Sequence, residues 1–241
     1  STGLHQGQVA MHLFICAQLL RSNAYFRNLA PWLLELNRNP PMKSETTMTV
    51  KPKIALIIGS TRASRFADKP AAWMLKQAEA RTDMDVELVD LRDFDLPLFD
   101  EMASNLWMPS TDERALKWQK KINEFDGYIF VVAEYNRSIT GALKNALDQA
   151  YNEWNHKPLS AIAYGSVGGT RALEHLRNIA VELQMVPTRN AVHIGGSDFF
   201  AVHPLGANAE IETIADHLAG SVTATLDDIV WWANATKAAR S

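Results

Sequence analysis

Tyr128-Ile-Phe-Val-Val132, followed by Glu134-Tyr-Asn-Arg-Ser-Ile-Thr-Gly-Ala-Leu-Lys-Asn-Ala-Leu-Asp148, decides the fold. The first run is apolar throughout, as a strand covered on both faces must be. The second starts as a polar-aromatic loop and becomes a helix, expected over 141–153, with Leu143, Leu147 and Tyr151 on one face. An open parallel sheet places its ligand at such a strand–loop–helix junction, outside the strand's carboxyl end. Tyr135 offers an aromatic ring, Asn136 an amide, and the loop several backbone N–H groups. That set suits a flat heteroaromatic ring that needs stacking and hydrogen bonds along its edge.

Outward from this segment, strand and helix patterns alternate. Strands are expected at 53–58, 86–90, 127–132, 159–164 and 188–194. Helices are expected at 67–80, 111–124, 141–153, from Thr170 (which can cap its helix) and over 208–235. Pro70 is tolerable only in the first turn of its helix. The pattern describes an α/β fold: a doubly wound, five-stranded parallel sheet. The order 2-1-3-4-5 is preferred, because the ligand-like loops then flank its switch point.

Residues 1–50 read differently. Residues 1–34 contain no acid, and Asn39-Pro-Pro41 interrupts any helix before a polar run at 43–47. The expected division is an N-terminal extension over 1–50 and one ligand-binding domain over 51–241. Val9 to Leu36 could form an amphipathic helix. It could be a targeting segment, an appended helix, or a non-native extension ahead of a start near Met48.

With 47% apolar and 21% charged residues, the composition is that of an ordinary globular chain. A net charge of −3 and the lack of any arginine-rich or lysine-rich run argue against nucleic acid as partner. Cys16 stands alone, so no intramolecular disulfide forms, which suits a reducing, cytoplasmic location. The seven histidines show no metal-ligand spacing, and no metal is expected. Apolar stretches fall short of the roughly 20 residues that span a bilayer, so membrane insertion is not expected.

Two more loops narrow the ligand. Gly59-Ser-Thr-Arg-Ala-Ser-Arg65 joins the first strand to the first helix, where N–H groups and the helix dipole favour an anion. Ser60, Thr61 and Ser64 add hydroxyls, and Arg62 and Arg65 can grip a terminal phosphate. Neither Gly-x-Gly-x-x-Gly nor a P-loop is present, so a monophosphate fits better than a pyrophosphate or a nucleoside triphosphate. A plain polar turn with surface arginines is the simpler alternative. Gly165-Ser-Val-Gly-Gly169 follows the fourth strand; its glycines let backbone approach a flat ligand closely. Phosphate, aromatic ring and ring edge together describe FMN.

Gly-Ser-x-Arg-x-x-Arg, Glu-Tyr-Asn-x-Ser-x-x-Gly-x-Leu-Lys-Asn-Ala-Leu-Asp and Tyr-Gly-Ser-x-Gly-Gly resemble the NAD(P)H-dependent FMN reductase family, which includes quinone and chromate reductases. The likeness spans about 53–195 and implies a flavodoxin-like fold, FMN as cofactor, NAD(P)H as co-substrate and a homodimer or homotetramer. By that resemblance Ser60, Arg62 and Arg65 hold the phosphate, and Glu134, Tyr135, Asn136 and Arg137 run beside the ring. Gly165, Ser166, Gly168 and Gly169 hold its pyrimidine end. Ala133 stands where the family usually has proline. The expected reaction is ping-pong hydride transfer from NAD(P)H to flavin and on to a small quinone-like acceptor, with no catalytic side chain assigned. A flavodoxin-type electron carrier is the alternative, although such carriers are strongly acidic and lack arginines in the phosphate loop. Trp107, in the long connection after the second strand, is a candidate to cover the flavin across a subunit interface.

Overall fold

A computed structural model describes residues 50–240. The expectations placed on residues 1–49, and with them the proposed extension, lie outside the described residues. Among the described residues no helix is long and apolar enough to cross a membrane.

Five strands form the spine: β1 (Lys53–Ile58), β2 (Asp85–Asp90), β3 (Gly127–Ala133), β4 (Pro158–Tyr164) and β5 (Val186–Pro187), parallel and ordered β2-β1-β3-β4-β5. A sixth strand, β6 (Val192–Ile194), also pairs with β4. Helices α1 (Asp68–Glu79), α2 (Glu113–Asn123), α3 (Gly141–Asp148), α4 (Thr170–Glu182), α5 (Gly196–Val202) and α6 (Ala215–Arg240) complete the fold.

Every residue of β3 and β4 is buried. Alternation then sorts their side chains into two layers. Ile54, Leu56, Ile129, Val131 and Ile162 pack towards α1 and α6. Ala55, Ile57, Tyr128, Phe130 and Ala161 pack towards α2, α3 and α4, where Trp118 and Trp154 are wholly buried. Burying one such large side chain contributes roughly 1.5–3 kcal/mol, and together these anchor the register of β1, β3 and β4. Pro70 sits in the first turn of α1, where its missing N–H costs nothing.

Four expectations are corrected. The helix after β3 ends at Asp148 instead of 153, because side chains claim its last carbonyls. Trp118 Nε1 donates to Ala146 O, Trp154 Nε1 to Leu147 O and Gln119 Nε2 to Gln149 O, at 2.7, 3.2 and 2.7 Å. Tyr151 therefore lies beyond the helix and donates to Glu182 O.

The fifth strand, expected over 188–194, is two short strands. Ser160 and Asp228 hold Asn190 out of the ladder between them, by bonds of 2.9 and 2.8 Å to its carbonyl and amide. Thr170 does not cap α4; Gly169 does so in the left-handed conformation, with φ 65°. The last helix, expected over 208–235, begins as a 3-10 turn at Ile211–Ile214 and continues to Arg240. Lys237 and Arg240 in its last turn bond Asp126 at 2.8 and 3.1 Å.

Below the sheet, Lys157 is 6% exposed. Its ammonium donates to Tyr128 Oη at 3.2 Å and Asn123 O at 3.4 Å, without a carboxylate partner among the described residues. Burial, helped by the charge of Arg240, pulls its pKa down from 10.5 to about 8. Between those values the unfolded chain binds more protons than the folded one, so stability rises with pH across that window. Lys157→Met should abolish this rise, a change on the order of 1–3 kcal/mol. Denaturant titrations of both proteins at the two ends of the window check it; parallel pH dependence would contradict it.

Candidate functional site

Three loops leave the carboxyl ends of β1, β3 and β4, and hydrogen bonds tie each to the next. Gly59 N donates to Val131 O at 3.1 Å. Thr140 caps α3 by accepting from Leu143 N, and its hydroxyl donates to Gly59 O. Ala133 extends β3 opposite Tyr164, and Glu134 N donates to Tyr164 O at 3.1 Å. These bonds join the three loops into one connected rim.

The loop after β3 opens with a two-residue hairpin. Tyr135 and Ser138 exchange both backbone bonds, at 2.8 and 2.9 Å, and Asn136 and Arg137 form the turn with φ 50° and 69°. Positive φ at both turn positions matches the right-handed strand twist, and Asn tolerates it better than most residues. Arg62 Nη1 donates to Tyr135 Oη at 3.0 Å, and the guanidinium carbon lies 5.8 Å from the ring centre. The first and second loops meet at that contact.

Glu134 is tied down from the opposite side. Its carboxylate accepts from Arg171 Nε and from the Arg171 backbone N–H near the start of α4. This leaves Glu134 neutralised next to the site.

Backbone contact shapes the third loop. Gly168 and Gly169 take φ 78° and 65°, and a Cβ on Gly169 would lie 2.7 Å from Tyr164 N. Gly195 also belongs to this arrangement, since a Cβ there would meet Gly168 N at 2.4 Å. His193 Nδ1 bonds Gly168 O at 2.7 Å and holds the loop from below. Gly165 N–H is taken by Ile194 O and Gly168 N–H by Gly165 O, which leaves the N–H groups of Ser166, Val167 and Gly169 as donors at this turn.

A cavity of about 550 Å³ opens between the loops, within the usual range for small-molecule sites. Of the residues singled out from sequence, Arg62, Ser64, Arg65, Glu134, Tyr135, Gly165 and Ser166 line it. Ser60 is buried beneath the first loop, and Gly168 and Gly169 lie under the third; Asn136 and Arg137 stand exposed at the hairpin tip. Trp107 is exposed in the 95–112 connection and does not line the cavity.

Sequence reasoning missed the far wall, formed by Phe66, Tyr164, Phe199, Phe200, His203 and Leu205. Phe66 meets Tyr164 edge-on at 5.1 Å, and His203 lies 4.5 Å from Phe199. The Gly-, Phe- and His-rich composition after the fifth strand was the available signal. Burial, with the charge of Arg62, pushes the His203 imidazole below its ordinary range, while burial pushes the Tyr164 phenol up. The wall is therefore aromatic and uncharged at neutral pH.

The first loop supplies the polarity. Among the described residues the five N–H groups from Ser60 to Ser64, those of Thr61, Ala63 and Ser64 included, donate no hydrogen bond. With Arg62 exposed beside them, they form an anion-seeking rim. The Arg65 guanidinium is bound within the protein. Nε and Nη2 bond Asp68, Nη1 bonds Ser60 O and Asp90 at 2.8 and 2.7 Å, and Nη2 also bonds Asp90. All five of its N–H directions are engaged within the protein. A monophosphate at one end and a flat ring between aromatic and glycine walls both fit this cradle. Among the described residues no cluster could hold a metal ion.

A doubly wound parallel sheet with its cleft at the carboxyl ends of β1, β3 and β4 defines a flavodoxin-like protein. Over residues 52–198 the chain matches the family described as NADPH-dependent FMN reductase. It is 36% identical over 159 residues to the NAD(P)H-dependent FMN reductase ntnL of Nectria sp, covering 62% of this chain and 79% of that one. With the quinone reductase of Escherichia coli it shares 29% identity over 185 residues, 73% of this chain and 95% of its relative. Among solved structures, the flavoenzyme NAD(P)H:(acceptor) oxidoreductase FerB of Paracoccus denitrificans matches at TM-score 0.57 and 28% identity, spanning 74% of this chain and 97% of that chain. The chain belongs to the NADPH-dependent FMN reductase family. It is an oxidoreductase, with FMN as cofactor and NAD(P)H as reductant.

Two glycines should respond oppositely to alanine. Gly169→Ala meets both a left-handed backbone and Tyr164, and should cost roughly 1–3 kcal/mol of stability. Gly141→Ala enters open space in a helix and should be neutral or gain up to about 1 kcal/mol. Chemical denaturation of both variants checks the contrast; a tolerated Gly169→Ala would show that the third loop can relax.

Proposed function

We propose that this protein passes reducing equivalents from NAD(P)H, by way of bound FMN, to a small quinone-like acceptor in a ping-pong cycle. The supporting observation is the single cavity onto which all three loops open, anion-seeking at one end and aromatic at the other. FMN, when bound, supplies hydride acceptance from the nicotinamide and hydride donation to the acceptor.

The chain's own residues bind and orient. Arg62 and the N–H groups of Thr61, Ala63 and Ser64 would hold the phosphate, with Arg65 and Ser60 shaping that loop from behind. Tyr135 and the Asn136–Arg137 turn would flank the ring. Ser166 and Val167 N–H groups would meet its polar edge, where donors stabilise negative charge that develops on reduction. Gly165, Gly168 and Gly169 let that backbone come close. The Glu134–Arg171 pair keeps a free carboxylate away from that edge. No side chain is assigned as acid or base.

The long connection carries Leu98, Met102 and Trp107 at 82%, 89% and 78% exposure. An apolar surface of that kind suits a second copy of the chain, which would bring Trp107 towards the neighbouring site. The reading is therefore of a homo-oligomer.

Purified protein loaded with FMN should show flavin absorbance that bleaches on anaerobic addition of NADPH or NADH and returns on addition of a benzoquinone. Initial rates varied in both substrates should give parallel double-reciprocal lines. Uptake of flavin with no bleaching by either nucleotide would leave an electron carrier in place of an enzyme. Failure to take up flavin would remove the cavity's assignment altogether.

A further inference from the structure

The proposed phosphate loop has no helix or strand across Ser60–Ser64, only the turn that Arg65 N–H closes onto Arg62 O at 3.3 Å, yet side chains hold its carbonyls from one side. That side is the carboxyl end of β2, the strand on the outer flank of β1. Asp90 ends β2 and Arg92 follows it. The Asp90 carboxylate pairs with Arg65 and accepts the Arg92 backbone N–H at 3.0 Å. Arg65 Nη1 donates to Ser60 O at 2.8 Å. Arg92 Nη2 donates to Arg62 O, and lies 3.4 Å from Ala63 O. Three of the loop's carbonyls, at residues 60, 62 and 63, are bonded in this way from the β2 side.

Among the described residues all peptide bonds are trans, so each carbonyl points opposite to the N–H of the next residue. Drawing the carbonyls of Ser60, Arg62 and Ala63 towards β2 turns the N–H groups of Thr61, Ala63 and Ser64 the other way. The other way is the side on which β3 lies beside β1, and from this loop Arg62, Ser64 and Arg65 line the cavity there with Tyr135 and Tyr164. Like the N–H groups of Ser60 and Arg62, these three have no acceptor among the described residues.

We infer that Asp90, Arg65 and Arg92 form a positioning network that aims the N–H groups of Thr61, Ala63 and Ser64 at the FMN phosphate and so sets the preference for a phosphorylated flavin. The inference rests on the FMN reading above. None of the three residues needs to touch the ligand. Two of the loop's cationic neighbours thus act on its backbone, and Arg62 is left as the arginine directed at the anion. Arg65 is 3% exposed in its side chain, held in place by Asp68 and Asp90, and burial of Asp90 is offset by the same bonds. Arg92 is exposed, so it can be truncated without opening the core.

The test compares FMN with riboflavin, which carries the same ring without the phosphate. Dissociation constants for both are measured by fluorescence quenching on the full chain, for wild type, Arg92→Ala, Arg92→Lys and Asp90→Asn, with thermal unfolding alongside. Arg92→Ala and Asp90→Asn should each weaken FMN by about tenfold or more while leaving riboflavin within about twofold. Arg92→Lys, which keeps a donor in reach of Arg62 O, should recover part of the loss. Equal weakening of both ligands would mean a general structural role and would overturn the inference, as would FMN affinity unchanged in Arg92→Ala. If Asp90→Asn fails to fold, the two Arg92 variants decide alone. Wild type that binds riboflavin and FMN equally would overturn the inference while leaving the ring site standing; wild type that binds neither would overturn both readings.

Discussion

Burial of β1, β3 and β4 on both faces is the constraint on which the rest of the structure depends. Parallel strands enclosed this way cannot slip, because a shift of one residue would exchange the two helical layers. The pairing of Ile54 with Gly127 and of Tyr128 with Leu159 follows, and the three strands finish side by side at Ile58, Ala133 and Tyr164. Loops of different chemistry thereby meet at one end of the sheet. Their mutual bonds, Gly59 N to Val131 O and Glu134 N to Tyr164 O, are short-range results of that long-range packing.

Charge in the site is arranged largely by being used up. Glu134 is matched by Arg171, and Arg65 by Asp68 and Asp90. Arg62 differs, since among the described residues its guanidinium bonds the Tyr135 hydroxyl and no carboxylate. Burial keeps the nearby His203 neutral. A protein of slightly negative net charge thus presents a locally positive rim beside an aromatic cavity, which is what a phosphorylated flat ring requires. Global charge says little about such a site, because neighbouring pairs cancel and only the leftover group faces the ligand.

The elements that sequence predicted well are those with strong periodicity. The apolar runs of β1, β3 and β4 and the amphipathic patterns of α2 and α4 fall close to their expected places, and the strand order agrees with the position of the ligand-like loops. Element ends were less legible. The helix after β3 stops early because Trp118, Gln119 and Trp154, two of them distant in sequence, bond its final carbonyls. The strand expected over 188–194 breaks because Ser160 and Asp228 take Asn190 out of line. No local propensity records either event.

The amino-acid sequence by itself determined the alternation of strands and helices, the family, and the three loops that bear ligand chemistry. All of these are encoded in residues close together along the chain. Tertiary structure alone decided how the residues within those loops divide their work. Arg62 and Arg65 are three residues apart and chemically identical, yet one faces the cavity rim and the other is enclosed by Asp68 and Asp90. The wall of Phe199, Phe200 and His203 likewise becomes part of the site only when the chain after β6 folds back over it. The physical reason is the same in both cases: a side chain's free valences depend on which distant groups have already claimed them.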